Sequence, residues 1–359
     1  MSLSIAALTR LPPELAHKTA LGVASRLPSF ALGALARANV VKDPCLEVEA
    51  FGLTFPTPLG LAAGYDKDGV ATGALLAFGF GHVEVGTVTR RPQPGNDGER
   101  LFRVREEKGL VNRLGFPNSG VDAMVRRLEA DRAKRRPECS AGIVGVNVGK
   151  NKDVALEDAP AEYAALYAAV AHVADYVTIN VSSPNTEGLR SLQSAQNVRA
   201  LLAAVGEARA KSSAKPPVLL KISPDLTEAD LDALVDEVLA ADVAGIVATN
   251  TTLSRDGVPG YAKDLQGGLS GRPLAARART VLRDVARRVE GKVPIVSVGG
   301  IDSADEALAR IRAGATLVQL YTALVYEGPS LARDIGRSLR DVCKREGLKS
   351  VSELRGRDL

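Results

Sequence analysis

Asp175-Tyr-Val-Thr-Ile-Asn180-Val-Ser-Ser183-Pro-Asn185-Thr186 is the stretch on which the fold turns. Its first half is short, apolar and β-branched, the pattern of a strand buried on both faces of a parallel sheet. Asn180 ends the strand, and apart from Val181 the residues that follow are Ser, Ser, Pro, Asn and Thr, with no acid or base. Such a surface offers neutral donors and acceptors fixed in direction, which suits a planar ligand rich in amide and carbonyl groups. Similar residues end the other candidate strands: Asn147, Lys221, Thr249-Asn250-Thr251 and Gly299-Gly300. Polar groups repeated at the C-terminal ends of successive strands point to an active site at the top of a β/α barrel.

Outward from this stretch, short apolar runs recur at 58–62, 82–86, 142–147, 176–180, 218–222, 245–249, 294–298 and 316–320. Helical patterns lie between them, near 68–78, 119–135, 160–173, 195–211, 227–241, 273–289 and 303–312, with another at 329–345 after the last. Strands alternating with helices imply right-handed βαβ units and a parallel sheet. Eight such units fit a closed (β/α)8 TIM barrel better than an open, doubly wound sheet. Residues 46–54, turning at Gly52, read as a small hairpin closing one end. Three connections, about 88–118, 181–194 and 250–272, exceed what a barrel needs, and all follow strands; long polar loops on that face bind or cover a ligand.

Composition narrows the class. A 45% hydrophobic share is ample for a core, while 4% aromatics and no Trp leave Ala, Val and Leu to build it. With 46 basic against 42 acidic residues, the net charge of +4 is too mild to argue for nucleic acid. Cys45, Cys139 and Cys343 are scattered, giving neither metal-ligand spacing nor a disulfide framework, which suggests a reducing compartment and no metal. No segment offers about 18 uninterrupted apolar residues, the length of a transmembrane helix. The first 40 residues stand apart. Leu8, Leu11, Leu15, Ala20, Val23, Ala24 and Leu27 have helical spacing, and a second apolar piece runs from Phe30 to Ala38. Arg10, Lys18, Arg26, Arg37 and Lys42 flank these faces. The segment reads either as a helical pair packed on the main domain or as one lying on an anionic membrane surface.

The strand-end motifs carry the chemistry. Gly60-Leu-Ala-Ala-Gly64-Tyr-Asp-Lys67-Asp-Gly69 lets backbone amides approach a flat ligand and adds a cation. Glu84-Val-Gly86-Thr87 supplies a hydroxyl, for a ligand or merely for capping the strand. Asn112-Arg-Leu-Gly115-Phe-Pro-Asn118 puts two amides in one loop. Lys221, closing an apolar strand, needs an anionic partner, either a salt bridge or a bound anion such as a reduced flavin ring. Gly299-Gly300, Tyr321-Thr322 and Gly267-Gly268-Leu-Ser-Gly271 lie where this architecture commonly holds phosphate. Neither a Rossmann fingerprint nor a P-loop is present. His82 and His172 read as structural, so a general base would be a hydroxyl or a lysine.

Taken together, the motifs AAGYDKDG, EVGTVTRRPQPGN, LFR, NRLGFPN, NVSSPNT, GGLSGRPL and VGGI resemble the dihydroorotate dehydrogenases of the membrane-associated, quinone-dependent class, from about Pro12 to Gly328. The resemblance implies a barrel carrying FMN that oxidises dihydroorotate to orotate in pyrimidine synthesis. It assigns FMN contacts to Ala63, Gly64, Lys67, Thr87, Asn147, Asn180, Lys221, Thr249, Gly271, Gly300, Tyr321 and Thr322. Substrate contacts fall to Lys67, Asn112, Arg113, Leu114, Gly115, Phe116, Asn180, Asn185, Asn250 and Thr251. Ser183 matches the catalytic base; a Cys there marks the soluble class. His17 and Arg103 match quinone-site positions, and Tyr65 and Pro117 are slight departures. The implied organisation is a helical membrane and quinone-access segment over 1–40 and a catalytic barrel over 41–359. The implied partner is a membrane quinone, and the expected protein is a monomer, peripheral on the cytoplasmic side of the cell inner membrane. Two competitors are another FMN barrel, such as a hydroxy-acid oxidase or an ene-reductase, and a non-catalytic phosphate sensor. The first would place His, Tyr or Arg where this chain has Ser183 and its Asn residues.

Overall fold

The computed structural model describes residues 10–134 and 142–359; Leu8, Cys139 and the end of the expected 119–135 helix lie outside the described residues. Eight strands close into a barrel in chain order: β3 (Leu59–Leu61), β4 (His82–Val88), β7 (Ile143–Val148), β8 (Tyr176–Asn180), β9 (Val218–Ile222), β10 (Gly245–Ala248), β12 (Ile295–Val298) and β13 (Leu317–Leu320). All eight pairings are parallel. The fold is a (β/α)8 TIM barrel with helices before it. β8 is buried at every residue, as its continuous apolar run requires. Parallel register fixes which strand ends meet: Asn180 lies beside Lys221, and Gly86 beside Asn147.

Between the strands run α3 (Thr72–Ala77), α4 (Val121–Lys134), α5 (Ala159–Val170), α6 (Ala195–Lys211), α7 (Glu228–Ala240), α9 (Ala275–Val289) and α10 (Ala304–Arg312). α11 (Thr322–Glu327) and α12 (Leu331–Glu346) follow the last strand. Local chemistry sets their starts. Thr227 and Ser303 accept hydrogen bonds from the backbone of Asp230 and Glu306, and acidic residues fill the first turns of α7 and α10.

The N-terminal end of the barrel is sealed by a hairpin of β1 (Val48–Ala50) and β2 (Leu53–Phe55). Phe51 and Phe55 meet edge-on at 6.0 Å, and Phe55 meets His82 in the same way at 5.2 Å. The His82 ring nitrogens find no partner among the described residues, and burial holds its pKa down to about 3, so it packs as a neutral ring. His172 sits at the surface, 3.2 Å from Glu129.

The opposite end departs from the sequence reading. The 88–118 and 250–272 connections are not open loops. They contain β5 (Leu101–Val104), β6 (Gly109–Asn112), the short α8 (Gly260–Lys263) and β11 (Gly268–Gly271). The three strands form an antiparallel sheet in the order β11-β6-β5 over the barrel mouth. Val104, Val111, Val258, Ala262 and Leu269 form a small core of its own. Four-residue strands carry too little periodicity to announce a partner so distant in sequence.

Ahead of the barrel, α1 (Pro13–Ala24) and α2 (Ser29–Asn39) form a pair bent by 105°. Ala36 of α2 is buried with Ala77 of α3, so the pair docks against the barrel wall. Leu15, Val23 and Phe30 nevertheless stay exposed, Phe30 at 73%.

Phe55 is completely buried within the seal. Phe55→Ala is expected to cost about 3–5 kcal/mol through lost apolar burial and the cavity left behind. A urea-unfolding midpoint within error of the parent would show that the seal contributes nothing.

Candidate active site

The floor of the mouth is a closed hydrogen-bond network. Glu84, fully buried in β4, accepts from Asn147 at 2.8 Å, Gln319 at 3.1 Å and the Tyr176 hydroxyl at 3.2 Å. Asn147 Oδ1 in turn accepts from the Thr87 hydroxyl at 2.6 Å and from Asn180 Nδ2 at 3.1 Å. Asn180 Oδ1 accepts from Asn250 Nδ2 at 3.2 Å and from the Ser182 hydroxyl at the same distance. Asn147 thus faces this network and not the cavities. Lys221 stands beside Asn180. Burial lowers its pKa, opposed by the charge of Glu84, and no described residue hydrogen-bonds its ammonium.

Above this floor lies a polar cavity lined by Ala63, Gly64, Lys67, Thr87, Asn112, Leu114, Gly115, Phe116, Asn180, Ser183, Asn185, Lys221, Asn250, Thr251 and Tyr321. Ser183 is 4% exposed, and its Oγ accepts from the Asn185 amide at 3.2 Å. Asn185 Nδ2 donates to Asn112 Oδ1 at 2.9 Å, while Asn185 Oδ1 and the Thr251 hydroxyl are buried without a hydrogen-bond partner among the described residues. Lys67 donates to the Gly64 carbonyl at 2.6 Å, and burial brings its pKa down to about 8, with Asp68 and Asp66 opposing. Arg113 does not line the cavity. Its backbone carries the loop, donating to Arg100 O at 2.8 Å.

A second cavity adjoins it, sharing Ala63, Lys221, Asn250, Thr251 and Tyr321 as lining residues. That cavity is also lined by Thr249, Gly271, Gly299, Gly300 and Thr322. Backbone must come close here. A Cβ on Gly271 would lie 2.3 Å from Lys108 O, and one on Gly300 would lie 2.4 Å from Ala275 Cα. Close backbone approach at two glycines, beside the start of α11 at Thr322, suits a phosphate.

A third, largely apolar chamber of about 290 Å³ separates α1 from the barrel. His17, Ala20, Ala24, Tyr65, Arg103 and Leu324 are among its walls. Tyr321 borders all three spaces. Tyr65 touches His17 edge-on at 5.0 Å and Tyr321 at 5.5 Å. Burial, helped by the charge of Lys67, brings the His17 pKa to about 3, so its imidazole is neutral.

The geometry therefore gathers nearly every residue singled out from the sequence, with Asn147 and Arg113 one step behind the cavity walls. It adds several that the sequence reading gives no role. Glu84, Tyr176 and Gln319 hold the floor, Tyr65 links the rings of His17 and Tyr321, and Asn96 and Arg100 support the Asn112–Phe116 loop. The signal for Glu84 is a carboxylate between two valines in a strand short enough to be wholly buried, which must be satisfied to be tolerated.

Fold and site define a β/α-barrel enzyme with its chemistry at the strand C-termini. The family model described as dihydroorotate dehydrogenase matches residues 45–343. A protein named dihydroorotate dehydrogenase (quinone) from Leifsonia xyli subsp. xyli is 48% identical over 337 residues, covering 92% of this chain and 96% of the relative. One of the same name from Roseiflexus castenholzii is 49% identical over 316 residues, covering 88% and 84%. A crystal structure of the Eimeria tenella DHODH in complex with ferulenol superposes with a TM-score of 0.90 at 35% identity, covering 98% of each chain. The chain belongs to the dihydroorotate dehydrogenase family and is an oxidoreductase.

Proposed function

We propose that this enzyme oxidises (S)-dihydroorotate to orotate with a tightly bound FMN, passes the electrons to a membrane quinone, and so serves de novo pyrimidine (UMP) synthesis. The observation that carries this reading is the position of Tyr321, which divides one polar, amide-lined double cavity from one apolar chamber. A polar reactant and a lipophilic one would reach opposite sides of the same wall. The relatives named as quinone enzymes support the same assignment.

The donor set fits FMN. Gly271, Gly300 and Thr322 would take the phosphate, and Ala63, Gly64, Thr87, Asn180, Lys221, Thr249 and Tyr321 the remainder, with Asn147 steadying Thr87 and Asn180. Lys221, buried and without a hydrogen bond among the described residues, is suited to a group that gains negative charge. Bound FMN would supply the hydride acceptor. Lys67, Asn112, Asn185, Asn250 and Thr251, with the backbone and rings of 113–116, would hold the planar substrate anion. Ser183 Oγ would accept the proton from the carbon adjacent to the one losing hydride. The Asn185 amide donates to that oxygen and orients it; as Ser183 takes the carbon's proton, its own hydroxyl proton would pass to solvent water, so the side chain ends neutral as it began. His17 and Arg103 would line the quinone site.

Residues 1–40 would form the membrane and quinone-access segment, and 41–359 the catalytic domain. No single described helix is long and apolar enough to cross a membrane, but Leu15, Val23 and Phe30 are exposed apolar groups on the bent pair. Arg10, Lys18, Arg26, Arg37 and Lys42 would favour an anionic leaflet. The enzyme would act as a monomer, peripheral on the cytoplasmic side of the cell inner membrane.

The purified protein should be yellow and should bleach anaerobically when dihydroorotate is added; a colourless protein would defeat the proposal. Ser183→Ala should keep its flavin yet lose about 10²–10⁴ in the rate of flavin reduction, as general-base removal does. Reduction within a factor of two of the parent would remove Ser183 from the role.

Lys67 gives a pH dependence of definite sign. An anion binds its protonated form, which prevails below about 8 and is lost as pH rises through that value. Orotate affinity should therefore fall by up to about tenfold per pH unit above that point. Spectral titrations from pH 6 to 10 check this; a dissociation constant that stays level to pH 10 contradicts it.

A chain starting near residue 41 should be more soluble, should still be reduced by dihydroorotate, and should turn over poorly with long-tailed quinones. Stopped-flow reduction and steady-state quinone assays on one preparation separate the half-reactions. Full quinone turnover in the shortened chain would show that the helical pair has no part in quinone access.

A further inference from the structure

We propose that Glu14 and Arg100 form a positioning pair through which the N-terminal helix holds the substrate loops in place. This rests on the dihydroorotate site described above, and it gives α1 a second duty besides walling the apolar chamber.

Glu14 lies in the first turn of α1. Its carboxylate takes both arms of one guanidinium: Arg100 Nη2 donates to Oε1, and Nε donates to Oε2 at 3.3 Å. A forked pair of this kind fixes orientation as well as charge. The Arg100 side chain is only 15% exposed, so its arms cannot simply turn to water. The remaining arm, Nη1, donates to the carbonyls of Pro94 at 2.7 Å and Asn96 at 3.2 Å, clamping that turn.

From Asn96 the contacts reach the substrate side. Its Nδ2 donates to Arg113 O at 2.9 Å and to Asn185 O at 3.1 Å, and its backbone amide donates to Leu114 O at 3.0 Å. The fit is close, since a Cβ on Gly115 would fall 2.7 Å from the Asn96 side chain. One side chain thus bridges the two loops whose amides, Asn112 and Asn185, are bonded to each other at the cavity wall. Losing the Glu14 carboxylate would leave Nε and Nη2 short of an acceptor in a mostly buried place, so the guanidinium would have to shift to satisfy them, loosening the 94–96 turn it clamps and with it the spacing of both loops.

Other contacts of the helix do not share this route. Lys18 also approaches Glu14, at 3.3 Å, but is 70% exposed and contributes little. Arg103 donates to Leu11 O at 2.6 Å, an anchor for the helix that leaves Asn96 untouched. Glu14→Gln can therefore break the pair while the helix stays docked. Coupling of this kind is reciprocal: if the helix tightens the substrate, the substrate tightens the helix.

The test uses the full-length flavoprotein with Glu14→Gln, Asn96→Ala, their double variant and Lys18→Gln. Orotate binding is read by calorimetry and by the flavin spectrum. Glu14→Gln should raise the orotate dissociation constant about three- to tenfold, the scale of one ordinary hydrogen bond's net contribution, because the pair acts on the substrate only through the loops. The reduction rate at saturating dihydroorotate should stay within twofold, and Lys18→Gln should bind as the parent does. In the Asn96→Ala background the same change should add less than a factor of 1.5, because both act through one chain of contacts. Unchanged orotate affinity in Glu14→Gln, or penalties that multiply independently, would overturn the proposal.

A second readout needs no altered Glu14. Saturating orotate should slow tryptic cleavage at Lys18 and Arg26 severalfold in the parent and not in Asn96→Ala. Equal protection in both, or none in either, would also overturn it. A parent protein that binds no orotate would instead refute the substrate assignment, so the two failures are distinguishable.

Discussion

Polar groups at the mouth of a closed barrel must find partners among the ends of other strands, and the amide of Asn180 is where those demands meet. It joins Asn147 and Thr87 on one side to Asn250 and Ser182 on the other. Those contacts span three strands, β4, β7 and β8, and the loops after β8 and β10. Buried polar groups of this kind are costly when half satisfied, so the network tolerates one arrangement and makes a rigid floor. The parallel register supplies that arrangement by bringing Asn180 beside Lys221 and Gly86 beside Asn147. Barrel closure is thus what positions the chemistry.

The same constraint explains what could be read from the sequence. A strand buried on both faces must be apolar throughout and must end where polar residues begin, so both its extent and its site residue are written locally. The runs at 176–180 and 218–222 coincide with β8 and β9 for that reason. What is written nonlocally stayed hidden. The cap strands pair through backbone amides and share a five-residue core assembled from both long connections. Asn96 stands within a quoted motif, yet its importance lies in reaching Arg113 and Asn185 together. Spacing along the chain cannot show a bridge between loops.

Charge at the mouth follows from burial. Lys67 and Lys221 line one cavity, and neither has a carboxylate in contact among the described residues. Desolvation alone would neutralise such groups, and the lowered pKa of each shows that pressure. Glu84 acts on Lys221 from within the floor, and Asp66 and Asp68 act on Lys67 from its own loop. These acids oppose the desolvation of both lysines without forming an ion pair with either among the described residues. A site built in this way favours anions by leaving its positive groups short of partners, which is more selective than adding further basic residues.

The N-terminal helix enters this balance from outside the barrel. His17 is neutral because it is buried and because Lys67 repels a second positive charge. Its ring touches Tyr65, which touches Tyr321, which borders the polar cavities. Three aromatic rings thus separate an apolar chamber from a cationic pocket with no charged group in the partition itself. A charged residue at His17 would face Lys67 across low-dielectric packing, where repulsion is weakly screened. Neutrality of that wall is therefore a condition for placing a lipophilic chamber so close to an anion site, and the docking of α1 that buries its own imidazole against Tyr65 is what meets it.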